Sequence, residues 1–473
     1  MRRFAKKTRA MRILSLIFSA LFLFAALIPV LAEGEPETEA EPAPEGAPRL
    51  EAPQLEHVGG AYLYNFETDT VLYELNAEAE VYPTSTVKIM TGIVALEALA
   101  DRLDEPVTVT EEMLYPVRGN AVGLMAGEII TPRQALYCLL VNNANDAAYV
   151  LAFTAAGSEE AFVGLMNKKA GELNAWNTIY TNCTGMHDDN MKTTVADTAK
   201  IAKYAYRNDT FMEMVGTVRY VLEKTNMSEY RNVYNRNCLV SKYYLDNYCY
   251  EGAVGMNAGS TPQGGYCAVG ITKNADNTVT YLSVIMNAES DDEEFYNYKG
   301  TVDLLNWAFA SYSFRKVIKK GQVICEMPVR MSATADYVTL AAVSDLSVFL
   351  PSDVDVEKDI KISCRTEEDF LRAPVKKGQI GSSPGQDEKL GVAMAVFEGK
   401  SLGTVDLVAT SDVPRSELLF ALDRVKTFSS SVFFRAAVIA CVLLSVGYVL
   451  LRARYRQKKL RSRIPATRPR KRR

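Results

Sequence analysis

The sequence predicts an α+β protein followed by a small all-β domain and one membrane-spanning helix, and three observations carry that prediction. Strand-like runs, GGAYLYNFETDTVLYELN from residue 59 and GGYCAVGITKN with VTYLSVIMNAE further on, bracket a block with helical signals. Beyond about Ser313 the texture changes to short strands alone, ending on LGVAMAVFEGKSLGTVDLVAT with Glu398-Gly399-Lys400 as a hairpin turn. Residues 432–451, VFFRAAVIACVLLSVGYVLL, are apolar on every side. With 473 residues, 48% of them hydrophobic, the chain is long enough for two domains with cores of their own.

Residues 1–32 read as a secretory signal peptide. Arg2, Arg3, Lys6, Lys7, Arg9 and Arg12 form a basic start, Ile13 to Ile28 an apolar run, and Val30-Leu31-Ala32 a small-x-small site with cleavage after Ala32. The basic region is long for a signal peptide, so an uncleaved anchor is the competing reading. Residues 33–56 are an acidic, proline-rich linker, too polar to fold. The mixed domain covers 57–313. Within it, TPRQALYCLLV has Thr131 as N-cap and Pro132 at the first helical position, and DAAYVLAFTAAG reads as another helix. The β-rich domain covers 314–412 and a stalk 413–431. The apolar run 432–451 has roughly the 20 residues needed to cross a bilayer, with Arg435 close enough to one end to snorkel. The tail 452–473, RARYRQKKLRSRIPATRPRKRR, is basic without a single acid and is therefore expected on the cytoplasmic side. Everything from Glu33 to about Ser431 is then expected outside the cell membrane.

Composition removes several function classes. The net charge of -4 hides an acidic linker and a basic tail, and says little about partners. No repeat and no nucleotide-binding loop is visible, and neither a cofactor nor a nucleic-acid partner is expected. His57 and His187 are the only histidines, so a histidine-rich metal site is not expected, and a Ser-His-Asp triad would have to use one of them. His187, in NCTGMHDDN, reads as a solvated loop residue. Of the eight cysteines, Cys441 sits in the span; the other seven form no C-x-x-C pairs and read mostly as buried small hydrophobes, with Cys238 and Cys249 as one possible disulfide.

One stretch carries chemistry. In YPTSTVKIMTG, residues 82–92, Ser85 stands three positions before Lys88, and Pro83 and Thr84 suit a helix start. Val87, Ile89, Met90, Ile93, Val94 and Leu96 leave hardly any polar face, so the helix is expected to be buried nearly all round. Positions i and i+3 share one side of a helix, which brings the Ser85 hydroxyl within reach of the Lys88 amine. Burial disfavours the ammonium form, so such a lysine can take a proton near neutral pH, and serine needs an adjacent base to become nucleophilic. The bland alternative makes Ser85 a cap and Lys88 a lysine snorkelling to water.

The same stretch closely resembles the nucleophile helix of the low-molecular-mass penicillin-binding proteins, the serine D-alanyl-D-alanine carboxypeptidases, whose superfamily carries S-x-x-K, S-x-N and K-T-G motifs. The resemblance continues through GNAVGLMAGE, LLVNNANDAAYVLA, the TNCTGM region, YEGAVGMNAGSTPQGGYCAVG, APVKKGQIGS and GKSLGTVDLVATSDVPRSE, about residues 57–420. It implies a DD-peptidase/β-lactamase-like domain, an antiparallel sheet flanked by helices, with the small β-domain holding it above the membrane. It also implies peptidoglycan stem peptides as substrate, β-lactams as ligands, and the catalytic residues Ser85, Lys88 and Asn145.

Two motifs depart from the family's pattern. Where the family has S-x-N, this chain has Asn143-Ala144-Asn145, so the relay hydroxyl is missing. Where the family has K-T-G, it has Asn257-Ala258-Gly259, followed by Ser260 and Thr261. The resemblance makes the missing Lys and Thr the groups that hold the substrate's terminal carboxylate; Asn257 can still donate as a neutral partner, and Ser260 or Thr261 can move into the gap. The backbone N–H groups of Ser85 and Ser260 would form the oxyanion hole. Two functions follow, a membrane-anchored carboxypeptidase or a catalytically weak homologue that binds wall peptides or a protein partner as a scaffold. A secreted β-lactamase is a more distant third, since the β-domain and anchor have no role in it.

Overall fold

The computed structural model describes residues 51–332, 334–365, 371–372, 375 and 390–461. The predicted signal peptide, the linker up to residue 50, all of APVKKGQIGS except Val375, and residues 462–473 of the tail lie outside the described residues.

The chain opens on an antiparallel hairpin, β1 (Val58–Asn65) and β2 (Thr70–Leu75). Helices follow: α1 (Val87–Ala98), the short α2 (Glu111–Leu114), α3 (Pro132–Asn142), α4 (Asn145–Ala156), α5 (Glu159–Glu172), α6 (Val195–Ala205) and α7 (Asp209–Val215). Two small hairpins are set among them, β3 (Val107–Thr108) with β4 (Ile129–Ile130), and β5 (Arg219–Leu222) with β6 (Arg231–Tyr234). The chain then returns to the first sheet with β7 (Ala253–Thr261), β8 (Gly265–Lys273) and β9 (Thr280–Ala288), giving the antiparallel order β2-β1-β9-β8-β7 with β7 at the edge. Helix α8 (Tyr296–Ser311) closes the domain.

Both faces of this sheet are covered, which is why β8 and β9 read as nearly continuous apolar runs. Their side chains still alternate. Tyr281 and Ile285 pack with Ala61, Leu63 and Leu304, Leu305 and Ala308 of α8, whereas Leu282, Val284 and Met286 join the core of the helical block. Helix α1 runs through that core with every residue from Val87 to Leu96 buried, as expected of a helix without a polar face. Helix α3 starts as the sequence predicts: Thr131 Oγ1 accepts from the Gln134 backbone N–H, the Gln134 side chain accepts from Thr131 N–H, and Pro132 occupies the first turn.

The β-rich part pairs β10 (Tyr312–Ile318) with β13 (Leu346–Pro351) and builds a six-stranded sheet from β11 (Val323–Arg330), β12 (Tyr337–Ala342), β14 (Lys361–Arg365), β15 (Leu371–Arg372), β16 (Gly391–Phe397) and β17 (Lys400–Ala409). Its order is β14-β16-β17-β12-β11-β15, around a separate core that includes Ile318, Leu340 and Leu407. This domain corrects the cysteine reading, because Cys325 on β11 and Cys364 on β14 form a disulfide with their Cα atoms 6.5 Å apart. The pair is separated by 39 residues and becomes visible only once the strands are placed. Cys238 and Cys249 stay free. Within the predicted stalk, Glu417–Ser430 forms a helix, α9, with none of its residues buried. Helix α10 (Val432–Arg461) then contains a segment, Val432–Gln457, long and apolar enough to cross a membrane.

Candidate active site

Ser85 sits in a 3-10 turn, Thr84–Thr86, that leads directly into α1. Thr84 holds φ at 51°, a left-handed conformation that is rare for a β-branched residue and marks a backbone held by its surroundings. One such constraint is Gly185, where an added Cβ would lie 1.9 Å from the Thr84 carbonyl oxygen. Lys88 is 1% exposed. Its Nζ donates to the Thr184 carbonyl at 2.5 Å and lies 3.4 Å from Ser85 Oγ. Burial lowers the Lys88 pKa to about 7, helped by the nearby Arg236 cation and opposed by Cys183. A fully buried amine therefore spends a large fraction of its time neutral at physiological pH.

Strand β7 runs past Ser85. A Cβ on Gly259 would come within 2.5 Å of Ser85 Cβ and 2.7 Å of its Oγ, so only glycine lets this edge strand approach the serine so closely. On the other side, the α3–α4 junction presents Asn143 and Asn145. Asn143 ends α3 in the left-handed conformation, φ 57°, which asparagine tolerates. Its Nδ2 donates to the Ala258 carbonyl at 2.6 Å, and its Oδ1 accepts from Asn257 Nδ2 at 2.6 Å. The two altered motif positions are thus bonded to each other as a neutral pair, both buried. Asn145 donates from Nδ2 to the Arg118 carbonyl at 2.6 Å.

Ser85, Lys88, Asn143, Asn145, Ala258, Gly259, Ser260 and Thr261 line one cavity of about 340 Å³. Asn257 does not line it. The sequence leaves Asn257 free to donate to a carboxylate, but its amide N–H is committed to Asn143 behind the cleft wall. The cavity also takes in residues that no motif singles out, among them Asn120, Arg236, Tyr244, Asn297 and Tyr298. Lys88 and Arg236 are the charged side chains that line it. Arg236 donates from Nη1 to Asn120 Oδ1 at 2.9 Å, and its guanidinium lies 4.7 Å from the Tyr244 ring centre. His187 departs from the solvated loop residue expected: its ring packs edge-on against Tyr82 and its Nε2 faces Asp189 Oδ1 at 3.0 Å. Among the described residues no three His, Cys, Asp or Glu side chains converge as metal ligands would.

A five-stranded antiparallel sheet covered by helices on both faces, followed by an all-β domain, defines the class as the fold of the low-molecular-mass penicillin-binding proteins. The crystal structure of penicillin-binding protein 5 from Haemophilus influenzae shares this fold, with a TM-score of 0.53 over 77% of this chain and 100% of that one at 24% identity. Residues 49–290 match the family profile described as D-alanyl-D-alanine carboxypeptidase, and residues 312–415 match that of the penicillin-binding protein 5 C-terminal domain. The chain belongs to the D-alanyl-D-alanine carboxypeptidase family of serine hydrolases. Among its relatives, D-alanyl-D-alanine carboxypeptidase DacF of Bacillus subtilis (strain 168) is 27% identical, covering 77% of this chain and 88% of the relative. The D-alanyl-D-alanine carboxypeptidase of Streptomyces sp. (strain K15) is 32% identical, over 52% of this chain and 88% of the relative.

Proposed function

We propose that this chain is a membrane-anchored serine D-Ala-D-Ala carboxypeptidase that removes the terminal D-Ala from peptidoglycan stem peptides through an acyl-enzyme on Ser85. The observation that carries the reading is the buried Lys88 amine, its pKa lowered to about 7, standing 3.4 Å from Ser85 Oγ. Neutral Lys88 takes the hydroxyl proton as Ser85 Oγ attacks the penultimate D-Ala carbonyl. The backbone N–H groups of Ser85 and Ser260 receive the oxyanion, and Asn145 orients the peptide. The C–N bond breaks, the leaving amine takes the proton from Lys88, and water then hydrolyses the Ser85 ester. Asn143, Ala258, Gly259, Ser260 and Thr261 form the substrate-facing walls, with Asn257 supporting Asn143. The same serine is open to β-lactams.

The domain plan belongs to the same proposal: signal peptide 1–32, linker 33–56, catalytic-type domain 57–313, β-domain 314–412, stalk 413–431, span 432–451 and cytoplasmic tail 452–473. Helix α10 supports the anchor by length and composition. Protease added to intact protoplasts is expected to remove most of the protein and leave a small C-terminal fragment; a protected large domain would overturn the topology.

A second reading, a wall-peptide or partner-binding scaffold, is favoured by one observation: the positions where the family carries a serine and a lysine hold the Asn143–Asn257 pair, which supplies neither hydroxyl nor cation. Release of the terminal residue from peptides ending in D-Ala-D-Ala separates the two. The hydrolase reading expects release by the full-length protein and none by Ser85→Ala. Peptide binding without release by the wild type would establish the scaffold.

A further inference from the structure

The cleft lacks the cation of the third motif, and strand β7 offers no substitute for it. Asn257 is committed to Asn143 behind the wall, Ala258 has no side-chain donor, and Ser260 and Thr261 bring hydroxyls without charge. Among the described residues no Asp or Glu lines the cavity, and its charged side chains are Lys88 and Arg236. The two are not equivalent. Lys88 must be neutral to take the Ser85 proton, and an anion held against it would favour the ammonium form and disable the base. An arginine stays charged across the whole pH range of activity, so it can hold an anion while Lys88 serves as the base.

Arg236 follows β6, and its backbone N–H donates to the Val141 carbonyl at 2.9 Å. Its side chain reaches between two other residues of the cleft wall, with Nη1 donating to Asn120 Oδ1 and the guanidinium over the Tyr244 ring. Asn120 is pinned in turn. Its Nδ2 donates to the Asn142 carbonyl at 2.5 Å and to Asn142 Oδ1 at 3.1 Å, and its own carbonyl accepts from the Asn145 N–H at 2.8 Å. A backbone carbonyl only accepts, so the Asn120 NH2 faces Asn142 and its oxygen is left for Arg236. One amide thus ties the guanidinium to the α3–α4 junction that carries Asn143 and Asn145. Among the described residues Nε and Nη2 make no hydrogen bond and no carboxylate pairs with Arg236. The planar fork therefore keeps N–H groups with which to take a carboxylate in two parallel bonds.

We propose that Arg236 holds the free carboxylate of the leaving D-Ala, so that the anchor missing from β7 is supplied by the segment after β6, with Asn120 as the residue that positions it. The proposal rests on reading Ser85 as the nucleophile of this cleft. Arg236 sets the preference for an acid terminus and takes no part in proton transfer.

The test uses full-length Ser85→Ala protein in detergent, titrated calorimetrically with an acetylated peptide ending in D-Ala-D-Ala, once as the free acid and once as the carboxamide. The acid is expected to bind about 10 to 100-fold more tightly, the range of one charge-assisted hydrogen bond. Arg236→Gln in the same background is expected to bring the ratio of the two affinities close to one, and Arg236→Lys to keep part of it. Asn120→Asp, which ties the guanidinium into an ion pair, is expected to lower the ratio as well, an effect that a merely structural role of Asn120 would not have on acid and amide separately. Equal binding of acid and amide to the protein with Arg236 intact would overturn the proposal, as would an acid preference that survives Arg236→Gln or failure of both peptides to bind at millimolar concentration. The first comparison does not depend on any Arg236 variant folding. Turnover with Ser85 intact separates the two layers: an acid bound selectively but not cleaved supports the anchor and refutes the hydrolase reading, whereas an acid cleaved with undiminished preference by Arg236→Gln does the reverse.

Discussion

Replacing Lys88 by methionine is expected to lower kcat/KM by about 10² to 10⁴-fold, the range a positioned general base contributes. Methionine keeps the length and volume of the buried side chain but has no proton-accepting nitrogen, and a thermal melt checks that the variant is folded. The pH dependence gives the same base a second signature. The Lys88 pKa is lowered to about 7 in the folded protein, so the proton-accepting form grows as pH rises through that value. With Lys88 in place, kcat/KM is expected to be half-maximal near that pH and to fall about tenfold per pH unit below it. In Lys88→Met the residual rate loses this dependence. A wild-type profile flat through neutrality, or a methionine variant with full activity, would remove Lys88 from the chemistry.

Asn257→Lys combined with Ala258→Thr is expected to raise kcat/KM on peptides ending in a free D-Ala carboxylate by about 10 to 100-fold, the range of one charge-assisted hydrogen bond, and to leave their terminal amides unimproved. The site can accept the lysine because Asn143 Oδ1, which now takes the Asn257 amide N–H, accepts equally well from an ammonium. Gly259 keeps the strand against Ser85 throughout. Asn143→Ser alone has the opposite prospect: it removes the partner of Asn257 Nδ2 and the donor to the Ala258 carbonyl, leaving buried groups unpaired at about 1–3 kcal/mol each. The serine helps only when the lysine is present. Steady-state rates on the paired acid and amide peptides, with melting curves for each variant, decide this. No gain from the double change in a folded protein would mean that the cleft has been rebuilt for another ligand.

These outcomes trace back to what a linear pattern can and cannot carry. Helix α1 was legible because its burial on all sides is written in consecutive apolar residues, and the start of α3 because its cap, proline and reciprocal glutamine lie within four positions. Ser260 and Thr261 entered only through the resemblance, as the residues that follow the altered K-T-G position, and both line the cleft. The Asn143–Asn257 pair was not legible: its bond spans 114 positions, and its polarity is set by the Ala258 carbonyl, which no side-chain code records. Arg236 and Asn297 were missed for a similar reason. Each reaches the cleft from a loop or helix whose own sequence carries no motif, and only the packing of α8 and of the segment after β6 brings them to Ser85. The Cys325–Cys364 bridge depends in the same way on the placement of β11 and β14.

The most direct test of the Ser85 acyl-enzyme uses a substrate that avoids the altered carboxylate contacts. Full-length protein is incubated with an acyl-D-Ala thioester, whose leaving group carries no carboxylate, then quenched in acid and weighed intact by mass spectrometry. The expected result is a mass increase equal to the acyl group, mapped by peptide digestion to Ser85 and absent from Ser85→Ala. An unmodified wild-type protein, or an adduct that persists in Ser85→Ala, would contradict it.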